Sequence, residues 1–302
     1  MLGSNLLASA SRNSKIQVTG WTRKNVDLTD QIRVFEEFES LKPTTVIHAA
    51  AKVGGIHANI ANPAEFLNEN IVLDSNVIMG AFKSGVKNLV YVGSSCMYPK
   101  DFRQPLNESD ILAAPLEPTN EGYAIAKIAG SKLCEYLSRE YGVNYRTIVP
   151  SNLYGPEDNF NSKSSHLVAA CILKVHEAMR DRREFIDVWG DGSARREFTY
   201  TRDLAEWLLE NLGRLDTWPP LVNLGSGKDY SVNDYYELAM AAVGYRVELV
   251  HDLNKPSGMK QKLMDSSFAR ENLAWDPKTS IEDGMAFTYS AFTARKMEPV
   301  NE

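Results

Sequence analysis

Short β-rich runs alternate with longer helical stretches through the first half of the chain, and this alternation constrains the fold more than any other feature. We predict four strands there, at Ile16–Val18, Thr45–His48, Leu89–Val92 and Tyr145–Val149, with helices between them at 31–41, 63–85 and 120–141. Strands that alternate with helices favour right-handed βαβ units and a parallel sheet covered on both faces. We therefore predict an α/β protein with a Rossmann-type doubly wound sheet.

The second half of the chain follows a different pattern. A loop rich in Asn, Ser and Gly spans 151–165, a predicted helix follows at about 166–180, and the strand-like Leu221–Leu224 precedes a Gly-Ser-Gly turn. We predict a Rossmann domain formed by residues 1–152 and about 198–228, and a smaller α/β substrate lobe formed by about 153–197 and 229–302. Ligands of open α/β sheets collect beyond the carboxyl ends of the strands, so we expect the site between the lobes.

The start of the chain lacks two features of a dinucleotide-binding fold. Gly3, followed by an apolar-spaced helix, resembles the end of a G-x-x-G-x-x-G loop, but the first strand and the first two glycines are missing. A single glycine there equally fits a simple helix start. Losing a central strand exposes backbone groups and removes N–H donors from the pyrophosphate site, so we expect the natural chain to carry roughly a dozen more residues.

Bulk properties exclude several classes of protein. A net charge of −6 with no basic stretch argues against broad nucleic-acid binding. The three cysteines, Cys96, Cys134 and Cys171, match neither a zinc motif nor a disulfide framework, so we expect no metal site and a reducing compartment. No apolar run approaches the roughly 20 residues of a membrane span, and no signal peptide pattern is present, so we predict a cytoplasmic protein.

A serine, a tyrosine and a lysine form a candidate catalytic set. Tyr123 and Lys127 stand four residues apart on one face of a predicted helix. An ammonium near a phenol stabilises the phenolate, which lets the tyrosine exchange a proton with a carbonyl oxygen. Ser94 follows the strand Leu89–Val92, where it can hydrogen-bond the same oxygen. An exposed helical pair and a serine cap are the structural alternatives.

Four longer runs contain or flank this set, in the order AAKVGGI (50–56), GSSCMYP (93–99), EPTNEGYAIAK (117–127) and PSNLYGPEDNF (150–160). In order and spacing they resemble the GDP-L-fucose synthase family of extended short-chain dehydrogenases/reductases, and the similarity extends over essentially the whole chain. The resemblance implies epimerisation at the two carbons that flank a ketone, followed by hydride delivery from NADPH to the ketone carbon. The implied conversion is GDP-4-dehydro-6-deoxy-D-mannose to GDP-L-fucose.

The resemblance also implies the roles of the catalytic residues. Cys96 and His166 match the family's epimerisation pair, in which a thiolate serves as base and an imidazole as acid. A core cysteine and a helix-capping histidine are the structural alternatives. Ser94 and Tyr123 would bind the substrate carbonyl oxygen, which Tyr123 protonates. Lys127 would hold the nicotinamide ribose and lower the pKa of the tyrosine.

Arg23 and Lys24 bear on the choice of cofactor. They follow the predicted strand Ile16–Val18, where a basic residue favours the 2′-phosphate of NADP(H) over the ribose diol of NAD(H). A solvated pair in a loop is the alternative. The cofactor-binding set implied by the resemblance comprises Gly3, Arg23, Asp27, Leu28, Ala49, Ala50, Ala51, Tyr123, Lys127, Pro150, Asn152 and His166.

The sugar nucleotide needs cations for its diphosphate and an apolar wall for its base. The substrate-binding set implied by the resemblance comprises Ser94, Asn152, Lys174, Trp189, Arg196 and Lys262. Arg196 falls in the run Arg-Glu-Phe that matches the family, whereas the neighbouring Arg195 does not.

Two other functions remain open from the sequence. A related epimerase-reductase on another GDP-deoxyketo-sugar, as in the colitose branch, would share the same catalytic residues. A truncated, non-catalytic sugar-nucleotide-binding protein would explain the missing glycines.

We also expect a homodimer that forms through the helices 63–85 and 120–141. Apolar side chains on these helices support it, namely Phe66, Ile71, Val77, Ile78, Leu133 and Leu137. Burial of the same side chains within the monomer is the alternative.

Overall fold

The computed structural model describes residues 1–12, 16–162, 165–255 and 259–297. Its α-helices are α1 (Leu2–Ala10), α2 (Gln31–Leu41), α3 (Ile56–Ala61), α4 (Pro63–Lys83), α5 (Glu121–Tyr141), α6 (Leu167–Asp181), α7 (Thr201–Asn211), α8 (Val232–Val243), α9 (Ser267–Leu273) and α10 (Ile281–Met297). Its strands are β1 (Thr45–His48), β2 (Asn88–Val92), β3 (Asn144–Pro150), β4 (Asn152–Tyr154), β5 (Phe185–Trp189), β6 (Arg195–Tyr200), β7 (Leu221–Leu224), β8 (Asp229–Ser231), β9 (Glu248–Asp252) and β10 (Gln261–Lys262).

The main sheet is parallel and has the strand order β1-β2-β3-β7. Successive residues of a strand point to opposite faces, so Tyr91 packs under α4 and α5, whereas Val90 packs with α1 and α7. Gly130 lets α5 approach β2 closely, because a side chain there would collide with Tyr91. The sheet is covered on both faces, which confirms the predicted Rossmann-type α/β fold.

The predicted strand Ile16–Val18 is wrong, because residues 16–20 have no strand assignment in the structure. A strand needs a neighbour to take up its N–H and C=O groups. β1 pairs with β2 on one side, and no strand among the described residues lies on its other side. The other predicted strands of the first half are confirmed as β1, β2 and β3.

A second layer of structure adjoins the carboxyl end of β3. β4 begins at Asn152, two residues after β3 ends at Pro150, and it belongs to a separate sheet of order β10-β6-β4 with β8 antiparallel to β6. A further pair, β5 and β9, is parallel. The helices α6, α8 and α10 enclose the core of this layer. The predicted boundaries between domain and lobe stay a prediction.

No helix in the described ranges has the length and apolar character needed to cross a bilayer.

Candidate active site

The loops at one edge of the main sheet carry the candidate catalytic residues. Ala49–Ala51 follow β1, Gly93–Cys96 follow β2, and Ser151 follows β3. The carboxyl ends of parallel strands meet at one edge of a sheet, so these loops lie together. The second sheet begins at the same edge, because Asn152 opens β4. The site therefore lies where the two sheets adjoin.

Ser94, Cys96 and Tyr123 are brought together by a turn and a helix start. Ser94 caps the short 3₁₀ turn Ser95–Met97, and its hydroxyl accepts a hydrogen bond from the backbone N–H of Cys96 at 3.2 Å. Tyr123 lies in the first turn of α5, with its hydroxyl near the Ser94 side chain. Burial and the neighbouring Cys96 raise the pKa of Tyr123, while the interaction with the Ser94 side chain opposes the rise. The phenol is therefore protonated and can donate to an oxygen placed beside Ser94.

Asn120 is a candidate functional residue that the sequence analysis missed. It is the N-cap residue of α5, but its side chain makes no capping hydrogen bond. Its amide Nδ2 instead donates to the sulfur of Cys96 at 3.1 Å, and its Oδ1 is buried without a partner in the described structure. A buried acceptor of this kind needs a partner, and a substrate hydroxyl would satisfy it. The sequence feature that could have identified Asn120 is its position three residues before Tyr123, which places both residues at the start of one helix.

Lys127 is buried inside the fold, one turn beyond Tyr123. Its Nζ lies 3.5 Å from the Asp74 carboxylate and 4.1 Å from the centre of the Tyr91 ring. Burial lowers the pKa of Lys127, and Asp74 raises it in part. The ammonium is therefore directed at Asp74, a residue of α4 that no sequence motif identified. The resemblance implied that Lys127 lowers the pKa of Tyr123, but in the structure burial raises that pKa.

His166 occupies the N-cap position of α6, and its side chain makes no capping hydrogen bond. The residue is exposed at the surface, but the protein atoms around its imidazole partly desolvate the ring and lower its pKa, which favours the neutral form at neutral pH. None of the contacts described for the structure joins His166 to Cys96, so its pairing with Cys96 stays a prediction.

Arg196 and Lys262 lie side by side on neighbouring strands. They are direct partners in the parallel pairing of β6 with β10. Burial lowers the pKa of Arg196, with Tyr235 and Glu117 opposing, and no carboxylate in the described ranges lies within 4.0 Å of its guanidinium. Arg195, in contrast, is paired with Asp229 at 2.8 Å. Two adjacent cations suit a diphosphate, and this placement supports the choice of Arg196 over Arg195.

The remaining predicted substrate residues lie on β4, α6 and β5. Asn152 donates to the backbone carbonyl of Glu197 at 3.2 Å. Lys174 donates to the carbonyl of Asp187 at 2.8 Å, and burial lowers its pKa. Trp189 ends β5, is 45% exposed, and has the Lys255 ammonium 5.7 Å from its ring centre. An exposed ring at a strand end can stack on a base.

Two of the predicted cofactor residues, Arg23 and Leu28, contact α4. Arg23 forms an ion pair with Glu69 at 3.2 Å. Asp27 accepts hydrogen bonds from Thr29, which lower its pKa, and the carbonyl of Leu28 accepts from Asn76.

Gly3, another predicted cofactor residue, lies within the first turn of α1, where a Cβ would meet no atom within 4 Å. Close packing of the described residues therefore does not require glycine at this position. Pro150, the last residue of β3, pairs with Leu224 of β7.

Glu197, the residue after Arg196 on β6, links the second sheet to the loop that follows β7 of the main sheet. One carboxylate oxygen accepts from the N–H of Gly227 at 2.6 Å, and the other accepts from the N–H of Met264 at 2.8 Å. Burial raises the pKa of Glu197 to about 7. Gly225 leaves room for the carboxylate, because a side chain there would collide with it.

Glu197→Gln is expected to lower the free energy of unfolding by about 2 kcal/mol, because its NH₂ group would face a buried N–H donor. The wild-type carboxyl has a folded-state pKa of about 7, above its usual 4.5. The folded state therefore keeps a proton that the unfolded chain has lost, and stability should fall as the pH rises through this window. The variant should lose this part of the pH dependence.

Urea unfolding at several pH values measures both the loss of stability and its pH dependence. The exposed Glu248→Gln is the control. Equal stabilities of wild type and Glu197→Gln would contradict the account.

Comparison with known proteins agrees with this geometry. Residues 1–225 match the NAD dependent epimerase/dehydratase family. A GDP-L-fucose synthase from Azorhizobium caulinodans is 44% identical over 292 residues, which cover 97% of this chain and 93% of that relative. A GDP-L-colitose synthase from Yersinia pseudotuberculosis is 40% identical over 98% of this chain and 96% of its own length. A solved structure, a GDP-mannoheptose C4 reductase from Campylobacter jejuni with NADP bound, matches with a TM-score of 0.86 at 28% identity, over 97% of this chain and 95% of its own.

A parallel Rossmann-type sheet with Ser94, Tyr123 and Lys127 at its carboxyl edge is the architecture of an extended short-chain dehydrogenase/reductase. The relatives that match over nearly the whole chain are enzymes named for GDP-linked deoxy-sugars, so they narrow this class to those that act on sugar nucleotides. The chain belongs to the NAD-dependent epimerase/dehydratase family, in the branch of the GDP-L-fucose synthases.

Proposed function

We propose that the protein is an NADP-dependent oxidoreductase with epimerase activity, which converts GDP-4-dehydro-6-deoxy-D-mannose to GDP-L-fucose. The observation that carries the proposal is the cluster of Ser94, Tyr123 and Cys96, in which the Ser94 hydroxyl accepts from the Cys96 N–H and both residues act on the Tyr123 phenol. This group combines a proton donor for a carbonyl oxygen with a thiol within reach of the same substrate. Relatives named GDP-L-fucose synthase, 44% identical in one case, support the substrate.

Epimerisation comes first in the proposed reaction. A proton on a carbon next to the ketone is acidic because the carbonyl takes up the negative charge of the resulting enolate. The Cys96 thiolate removes this proton, and the amide of Asn120, 3.1 Å from the sulfur, orients the thiolate. His166, in its protonated form, returns a proton to the opposite face of the carbon, and its lowered pKa means that this form gives up the proton readily. Proton exchange with solvent restores the thiolate and the imidazolium, and the same exchange at the second flanking carbon completes the inversion.

Reduction follows at the ketone. Ser94 and Tyr123 bind the carbonyl oxygen, and Tyr123 donates its proton to that oxygen as charge develops on it. NADPH supplies the hydride when it is bound. Lys127 lies one helical turn away and stabilises the tyrosinate that remains.

Several of the predicted cofactor residues fit NADP(H). The small side chains of Ala49–Ala51 follow β1 and permit a close approach to the cofactor backbone. Arg23, 78% exposed, supplies a cation that can bind a 2′-phosphate once it leaves Glu69.

Arg23→Ala is expected to raise the KM for NADPH about tenfold, the loss of one charge-assisted contact, and to leave the KM for NADH within about twofold. Steady-state kinetics with both cofactors measures the change in preference. Arg33→Ala, a second exposed arginine that lies on α2, is the matched control. Equal changes for the two cofactors would exclude a 2′-phosphate contact.

A homodimer in the cytoplasm remains part of the proposal. Phe66, Val77, Ile78 and Leu137 are buried within the monomer, whereas Ile71 and Ile125 are 40% and 42% exposed. Tyr136, 43% exposed, lies eleven residues after Ile125 and thus on the same face of α5. These exposed side chains support a dimer through α4 and α5. Sedimentation should give twice the mass of the chain; a monomer at micromolar concentration would contradict the dimer.

A second GDP-deoxyketo-sugar, the colitose precursor, is the competing substrate, and it is favoured by the relative named GDP-L-colitose synthase at 40% identity. The two substrates differ at a carbon of the sugar ring, so the test is NADPH oxidation with each one under identical conditions. We expect kcat/KM to be higher for GDP-4-dehydro-6-deoxy-D-mannose. A reversed order would assign the protein to the colitose branch, and oxidation with neither would support a binding function without catalysis.

A further inference from the structure

A buried polar cluster lies beneath the proposed catalytic tyrosine and is centred on Asp74 of α4. One oxygen of its carboxylate is 2.7 Å from Nε2 of His48, at the end of β1. The other oxygen accepts from the hydroxyl of Tyr91 on β2 and lies 3.5 Å from Nζ of Lys127 on α5. All four side chains are buried, with at most 3% of each residue exposed.

Stability alone does not account for this cluster. A buried ion pair contributes little compared with apolar residues of the same volume, because both charges lose their hydration. The position of the cluster suggests a different purpose. Lys127 lies one turn from Tyr123, and the charge of Asp74 acts on the phenol of Tyr123 as well as on the ammonium.

Asp74 is held as an anion. Burial by itself would raise the pKa of Asp74, but Lys127, His48 and Tyr91 together bring it below its usual range. The groups that face Lys127 are Asp74 from α4, Tyr91 from β2, and Cys134 from α5 itself, with His48 of β1 reaching it through Asp74. Among these groups Asp74 supplies the negative charge.

We propose that Asp74 is a positioning residue for the reduction, which keeps the buried side chain of Lys127 as an ammonium and fixes it one turn from Tyr123. The inference rests on the proposed reductase function. When Tyr123 gives its proton to the carbonyl oxygen, the ammonium stabilises the tyrosinate, and the Asp74 carboxylate keeps that ammonium protonated. His48, with its Nε2 2.7 Å from one carboxylate oxygen, holds the carboxylate in place.

Asp74→Asn tests the proposal, because it keeps the shape of the side chain and removes the charge. Lys127 then loses the main influence that opposes burial, so its pKa falls, and the tyrosine loses the carboxylate that raises its own pKa. Both changes move the alkaline limb of kcat to lower pH, by about one to two units. We expect kcat near pH 8 to fall about tenfold and the KM for the sugar nucleotide to change less than about twofold.

The titration of Lys127 can be followed without turnover. Side-chain NMR of lysine-labelled protein, with the signal assigned by its loss in Lys127→Met, should show a lower pKa for Lys127 in Asp74→Asn than in wild type. Tyr91→Phe is the matched control, because it removes one hydrogen bond to the same carboxylate and leaves the charge. We expect Tyr91→Phe to lower the melting temperature and to keep both the lysine titration and the alkaline limb.

A purely structural cluster would give a different result, in which Asp74→Asn and Tyr91→Phe lose stability alike and neither moves the limb or the titration. That result would overturn the proposal. Should Asp74→Asn not fold, Asp74→Glu retains the charge and should keep the alkaline limb while kcat falls severalfold; a displaced limb there would equally overturn it. Absence of turnover in wild type would count against the reductase function, while the lysine titration would still decide the role of Asp74.

Discussion

Tyr123→Phe is expected to lower kcat for the reduction by about a thousandfold, the usual contribution of a positioned proton donor. The variant keeps the ring but removes the hydroxyl that lies near Ser94. The carbonyl oxygen would then gain negative charge with no proton supplied to it. NADPH oxidation in single-turnover experiments measures the chemical step directly.

Tyr141→Phe provides the control for Tyr123→Phe, since it removes a tyrosine hydroxyl from the exposed last residue of the same helix. Tyr141→Phe should match wild type, and NADPH should bind equally well to both variants. A loss of less than about tenfold in Tyr123→Phe would show that another group supplies the proton.

Cys96→Ser is expected to lower the rate of proton exchange at the carbons next to the ketone by about a thousandfold. A serine hydroxyl is a far weaker acid than a thiol, so it is rarely present as the anion that acts as base. The proton donor for the reduction, Tyr123, is left in place. The variant should therefore bind substrate and NADPH normally but fail to exchange substrate protons with D₂O.

Cys171→Ala is the control for loss of a thiol, because Cys171 lies on α6 in the core of the second layer. Its exchange rate should stay within about threefold of wild type, since it does not touch the reacting atoms. Proton exchange that persists in Cys96→Ser would show that a different base removes the substrate protons.

Local patterns were enough to predict most of the main sheet. The strand at Thr45–His48 is confirmed to the residue, and the helix at 31–41 is confirmed as Gln31–Leu41. Both are settled by the spacing of apolar residues within a short window. Ile16–Val18 has the same β-rich composition and is not a strand, because strand formation depends on a neighbour that local composition does not report.

The site was predictable where its residues fall in motifs, and not where long-range packing creates it. Ser94 and Tyr123 were predicted from strand-end position and helical spacing, and the structure places them close enough for Ser94 to act on the Tyr123 phenol. Asp74 lies mid-helix, 53 residues before Lys127, and no spacing rule connects the two. In the sequence Asn120 has the position of an ordinary helix N-cap, and only the structure shows its contact with the Cys96 sulfur.

The most direct test of the proposed function follows the fate of the sugar in D₂O. Wild-type protein is incubated with NADPH and GDP-4-dehydro-6-deoxy-D-mannose, and the product is analysed by mass spectrometry and NMR. We predict one NADPH oxidised per product, deuterium at both carbons that flank the former ketone, and the L-fuco configuration. Oxidation of NADPH that yields an unlabelled sugar of unchanged D configuration would show a reductase without epimerase activity, and would contradict the proposed roles of Cys96 and His166.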